Sequence, residues 1–197
     1  MVRAQAYTLE AFVAALLILS SVVFALQVTA VTPLSASTSN QHLQGQEAAV
    51  AAGVLDAAVA NGSLGRMLRY WDTDPNTLSF HNASEDGYYL DGPPTAFGHL
   101  LNRTLRAEGL AYNVELRFVT ADGGVTGQYL VYQGSPSDEA VRTAATVALY
   151  DDDPTYDWKE EPTDTDVSAA TGFFAPDAYP GRPLYNVVQV EVTVWRT

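Results

Sequence analysis

The chain opens on a run of apolar positions with no amphipathic period. Across residues 11–31 only Ser20, Ser21, Gln27 and Thr29 are polar, and none of the 21 residues is charged. As a helix such a run rises about 31 Å, close to the ~30 Å hydrocarbon core of a bilayer. The pattern therefore predicts a long hydrophobic N-terminal helix that serves as a membrane anchor. It exceeds the about 7–15 apolar residues of a secretory signal, so the segment is expected to be retained, although Val28-Thr29-Ala30 has the small residues of a cleavage site. Arg3 precedes the run and no Lys or Arg follows it until Arg66. The positive-inside bias then predicts a single-pass protein with a cytoplasmic N-terminus and an extracellular remainder.

The pattern changes after this run. Residues 31–40 are small and polar, and Pro33 predicts a kink or break because it lacks a backbone donor. Helical spacing returns over 41–60, with Ala48, Ala51, Ala52, Leu55 and Val59 on one face. Asn61-Gly62 is a stop signal. A short helical turn is predicted at 64–71, a turn at 72–76 and a loop over 81–94. A further helix is predicted over 95–108, capped by Thr95, with Phe97, Leu100, Leu101 and Leu105 sharing a face and Gly109 ending it.

From residue 112 the period becomes two. Strands are predicted at 112–120, 128–133, 142–150 and 184–196, the first two joined by the turn Ala121-Asp122-Gly123-Gly124. Residues 151–183, rich in Asp, Pro and Thr, read as a long functional or mobile loop. The expected fold class is α+β: a long N-terminal hydrophobic helix acting as membrane anchor, then a head of a four-stranded antiparallel sheet packed on one or two helices. The expected segments are a leader (1–5), a transmembrane or assembly helix (6–31), a linker and alanine-rich stalk helix (32–62) and an extracytoplasmic head (63–197).

Charge narrows the partners. The chain carries 23 acidic and 10 basic residues, a net charge of −13, and Lys159 is its only lysine. Phosphate binding needs a basic patch, so nucleic acid is not an expected partner. An acidic, lysine-poor surface suits high salt, which screens self-repulsion. With no cysteine, disulfides, thiolate zinc sites and cysteine nucleophiles are excluded.

Glu10 is the one charge at the mouth of the apolar run. A carboxylate there suits the dipole at a helix start, and in an apolar bundle it would need a partner. The sequence Arg3-Ala4-Gln5-Ala6-Tyr7-Thr8-Leu9-Glu10, followed by an apolar helix, resembles the N-terminus of type IV prepilins. Together with the acidic composition, it is similar to pilin-like membrane proteins of halophilic archaea. The resemblance implies a short basic leader removed by a prepilin peptidase, with Arg3, Ala4, Gln5 and Ala6 carrying the processing and scission falling before or after Gln5. Ala4 stands where the leader more often ends in glycine. It further implies that Glu10 pairs with the freed amine of a neighbouring subunit and sets filament register. The implied partners are membrane lipid, other pilin-like subunits and the peptidase.

The remaining motifs are weaker. Asn61-Gly62-Ser63, Asn82-Ala83-Ser84 and Asn102-Arg103-Thr104 are candidate N-glycosylation sites. Asp151, Asp152, Asp153 and Asp157 form the densest acidic cluster and a weak Ca²⁺ candidate, lacking the EF-hand spacing. His42, His81 and His99 share no metal-ligand spacing. No metal, cofactor or catalytic site is expected, and the chain reads as non-enzymatic. The expected function is a pilin-like structural subunit or minor component of a surface filament, in adhesion or secretion. The alternative is a single-pass anchored extracytoplasmic binding domain that does not polymerise.

Overall fold

The computed structural model describes residues 2–196, with side chains described for 10–25 and 41–196. The chain divides into two compact units, Met1–Leu43 and Gln44–Thr197. Helix α1 (Val2–Ala60) supplies the first unit and the opening of the second.

The membrane-spanning anchor of the expected fold is not met. Among the described residues no helix is long and apolar enough to cross a membrane. The kink expected at Pro33 lies outside the residues whose side chains are described.

The second unit is α+β. Short helix α2 (Ser63–Leu68) follows α1, and α3 (Ala96–Thr104) is extended by a 3-10 turn, Arg106–Glu108. Strands β1 (Leu110–Val119), β2 (Val125–Val131), β3 (Val141–Tyr150) and β6 (Leu184–Arg196) form one antiparallel sheet in the order β2-β1-β6-β3. Strands β4 (Pro154–Tyr156) and β5 (Pro162–Asp166) make a separate hairpin.

Alternation builds the sheet. Tyr112, Val114, Leu116 and Phe118 of β1 pair with Val194, Val192, Val190 and Val188 of β6. All eight are buried, because residues two apart share a face. The outer face carries Glu115, Arg117, Gln189 and Glu191 in the same register. An antiparallel sheet with one packed and one wetted face gives this pattern.

The packed face joins Ala51, Val54, Leu55 and Ala58 of α1, Leu64, Met67 and Leu68 of α2, and Phe97 and Leu101 of α3 in one hydrophobic cluster. The α1 face differs from the one the spacing suggested: Val54 and Ala58 are buried, whereas Val59 is 47 % exposed. Alanines fit every face of a helix, so only the larger side chains reveal its rotation. Gly98 allows a close approach within this layer, since a Cβ there would overlap the Pro93 carbonyl. Thr95 caps α3 by accepting from the Gly98 N–H at 3.4 Å.

The 151–183 segment is an integral part of the core and not a free loop. Beyond the β4–β5 hairpin it sends Val167, Phe173 and Ala175 into the core cluster. Phe173 and Phe174 stack with Trp71, and Phe174 also with Phe80 and Phe118, at centroid separations of 4.7–6.1 Å. Such an aromatic knot favours edge and tilted contacts.

Candidate functional site

The residues singled out from the sequence fall in the apolar part of the first unit, in the acidic 151–157 stretch of the second, and at three sequons, also in the second.

In the first unit every described residue from Glu10 to Ala25 is exposed. Phe12, Leu17, Leu19 and Phe24 keep 67–68 % of their surface, and Val13, Leu16, Ile18, Val22 and Val23 keep about half or more. These positions lie on all sides of the helix, so no single face is the apolar one. A helix apolar all round calls for cover all round. The Ser20 and Ser21 hydroxyls donate back to the Leu16 and Ile18 carbonyls at 2.8 Å. They leave no unsatisfied polar group that would resist burial. Glu10 is the only charged residue in this stretch. Arg3, Ala4, Gln5 and Ala6 lie outside the residues whose side chains are described.

The acidic stretch is occupied by structural work. Asp153 pairs with Arg69 at 3.0 Å, and its other oxygen accepts from the Tyr150 N–H at 2.9 Å. Asp157 accepts from the N–H groups of Lys159 and Glu161, both at 2.9 Å. The Glu161 bond is the main reason its carboxyl titrates below the usual range. Asp152 is exposed. Asp151 Oδ1 is buried and finds no hydrogen-bond donor among the described residues. Asp153 and Asp157 thus serve separate structural ends. Among the described residues no group of three or more His, Asp and Glu side chains is disposed to hold a metal ion.

Around this stretch runs a polar seam that the sequence did not reveal. Arg69 lies 5.1 Å from the Tyr156 ring centroid. His81 Nε2 is 3.2 Å from the Tyr156 carbonyl, and the His81 ring meets Tyr70 edge-on at 4.9 Å. The Tyr70 hydroxyl donates to the Trp158 carbonyl, and Glu160 accepts from the Ala96 N–H at the start of α3. Burial raises the Tyr70 and Tyr89 phenols above their ordinary value. These contacts clamp the β4–β5 hairpin onto residues 69–81 and onto the start of α3. His42 and His99 are exposed.

Two further locks were also missed. Asn186, fully buried in β6, donates to the Val119 and Pro176 carbonyls and accepts from the Val119 and Val187 N–H groups, at 2.8–3.1 Å. Glu47, nearly buried on α1, pairs with Arg196 of β6 at 2.6 Å. Neither residue sits in a local motif: Val119 is 67 residues from Asn186, and Arg196 is 149 from Glu47.

The three sequons differ in their surroundings. Asn61 and Asn82 are exposed. Asn61 Oδ1 accepts from the Ser63 N–H at 2.8 Å. Asn82 sits at a φ of 60° in a turn. Asn102 is engaged at both ends: its amide donates to the Asp91 carbonyl and its oxygen accepts from Tyr112 Oη, each at 2.8 Å.

No curated protein matches the chain, and no solved structure does. Residues 3–194, nearly the whole chain, match the family of unknown function DUF7288, so the chain belongs to that family.

Proposed function

We propose that the protein is a pilin-like structural subunit, major or minor, of a surface filament that acts in adhesion or secretion. Its apolar α1 segment packs against the same segment of neighbouring copies, and its α+β unit is displayed outside the cell. The observation that carries this reading is the apolar row from Phe12 to Phe24, exposed on all sides of the helix. Copies of the same helix packed side by side cover such a surface by burying apolar area. Within that packing Glu10 is the single charge, and a charge in an apolar bundle is tolerated only with a partner. A freed N-terminal amine of an adjacent copy, produced by a prepilin peptidase acting at Gln5, supplies one and fixes the stagger between subunits. The exposed sequons at Asn61 and Asn82 suit a glycosylated extracellular unit.

The test is Glu10→Ala, followed by shearing surface filaments from cells. The expected result is loss of the chain from the sheared fraction with its cellular level unchanged. Unaltered incorporation of the variant would remove Glu10 from assembly. Absence of the unaltered chain from filaments would favour a surface binding domain that does not polymerise.

A further inference from the structure

We propose that the open edge of β3 is a pairing site for a second copy of this chain, joining two sheets antiparallel through β3. This association is independent of the α1 segment.

The two ends of the sheet are treated differently. At the β2 end the edge is short, seven residues, interrupted by Gly127 and partly covered. Tyr89 bridges to Val131, donating its N–H to the Leu130 carbonyl at 2.9 Å and accepting from the Tyr132 N–H at 3.0 Å. At the other end β3 runs ten residues, Val141–Tyr150, with β6 on one side. Among the described residues no backbone segment pairs with its other side. Its sequence, VRTAATVALY, has one charge, no proline and no glycine, and its register against β6 is regular from Val141 to Leu149. Exposed edges are ordinarily blunted by charges, prolines, bulges or shortness. The β2 edge is protected in this way, whereas β3 has only Arg142 near its start and an irregularity at its last step, Leu149–Tyr150.

The occupant follows from charge. The strand carries Arg142 as its second residue, with a side chain 68 % exposed although Glu191 lies 3.8 Å away. It runs into Asp151 and Asp152, the latter exposed. One end is basic and the other acidic, so an antiparallel second copy is complementary to it. Opposite residues in such a pair share a face. The register that sets Thr146 against Ala148 puts Val147 on the twofold axis, brings Arg142 toward the Asp151–Asp152 turn at the end of the second copy's strand, and carries Asp138 and Glu139 beyond the paired stretch. Exposed Ala144, Thr146 and Ala148 are small enough to let the backbones close.

The chain has no cysteine, which makes the test specific. Full-length Thr146→Cys and Ala148→Cys chains are mixed in equal amounts and oxidised. A parallel mixture of Thr126→Cys, an exposed position on the β2 edge, with Ala148→Cys is the control. All three substitutions are at exposed positions, and unchanged thermal melts confirm that the fold is intact. The expected result is a disulfide-linked dimer containing one chain of each kind, at least tenfold above the control mixture. Adding Arg142→Glu to both chains is expected to abolish it. Equal cross-linking in the two mixtures, or none, would overturn the proposal, as would an edge filled by another protein's strand. Association through α1 brings copies together without favouring position 146 over 126, so the outcome is read separately from the filament proposal.

Discussion

Truncating Leu55 tests whether the end of α1 belongs to the core of the second unit. Leu55 is 1 % exposed and sits in the same cluster as the sheet valines. Leu55→Ala removes buried methyl groups and leaves a cavity that a close-packed interior only partly fills. The cost is about 3 kcal/mol, within the ~2–5 kcal/mol range for such substitutions. Val59→Ala, one turn on at a 47 % exposed position, removes little buried area and improves helix propensity, so its effect is within about 0.5 kcal/mol. For a unit of this size 3 kcal/mol corresponds to a melting shift of about 6–12 °C. Urea or thermal unfolding followed by tryptophan fluorescence reads it, since Trp71 and Trp195 are buried in the same unit. If Val59→Ala costs as much as Leu55→Ala, the helix is rotated from the orientation described and the packing argument fails.

Other expectations follow from single contacts. Gly98→Ala would ordinarily favour a helix by about 1 kcal/mol, but the Pro93 carbonyl occupies the space its Cβ needs. A net loss of about 1–3 kcal/mol is expected in a thermal melt. Asn102→Ala leaves the Tyr112 hydroxyl and the Asp91 carbonyl without this partner and is expected to cost about 1–3 kcal/mol. By the same contacts, glycopeptide mass spectrometry of chain from its native cells should find Asn102 bare. Stability is expected to be flat near neutrality and to fall at both extremes. Burial raises the Tyr89 and Tyr112 phenols, so their contribution is full below the ordinary tyrosine value of about 10 and is lost as pH rises beyond it. Hydrogen bonds depress Asp74, Asp122 and Asp157, so theirs is present above about pH 4 and lost as pH falls further. Denaturant midpoints across pH 2–12 check both limbs.

How far the sequence carried the fold depended on locality. Strict alternation at Tyr112, Val114, Leu116 and Phe118, and at Val188 to Val194, was enough to place the two central strands, because period two needs no knowledge of distant neighbours. Thr95 and Gly109 marked the bounds of the α3 region for the same reason. The 151–183 segment was misread as a loop because Val167, Phe173 and Ala175 reach the core singly and without period. The rotation of α1 was obscured by its alanines. In the apolar N-terminal run, composition suggested a span, whereas among the described residues no helix is long and apolar enough to cross a membrane. Glu10 was conspicuous as a lone charge, but Glu47–Arg196, Asn186 and the Arg69–Asp153 pair depend on contacts far apart in sequence. No local pattern announces them. The acidic cluster was a weak Ca²⁺ candidate; Asp153 is an arginine partner, Asp157 a turn cap and Asp152 an exposed surface charge.

The claim that the chain assembles through its apolar N-terminal helix is tested most directly by the intact mass of the chain recovered from sheared surface filaments. The account predicts that the chain is present in that fraction and that its N-terminus is Gln5 or Ala6. A chain that retains Met1 or Val2 and is missing from the filament fraction would contradict it.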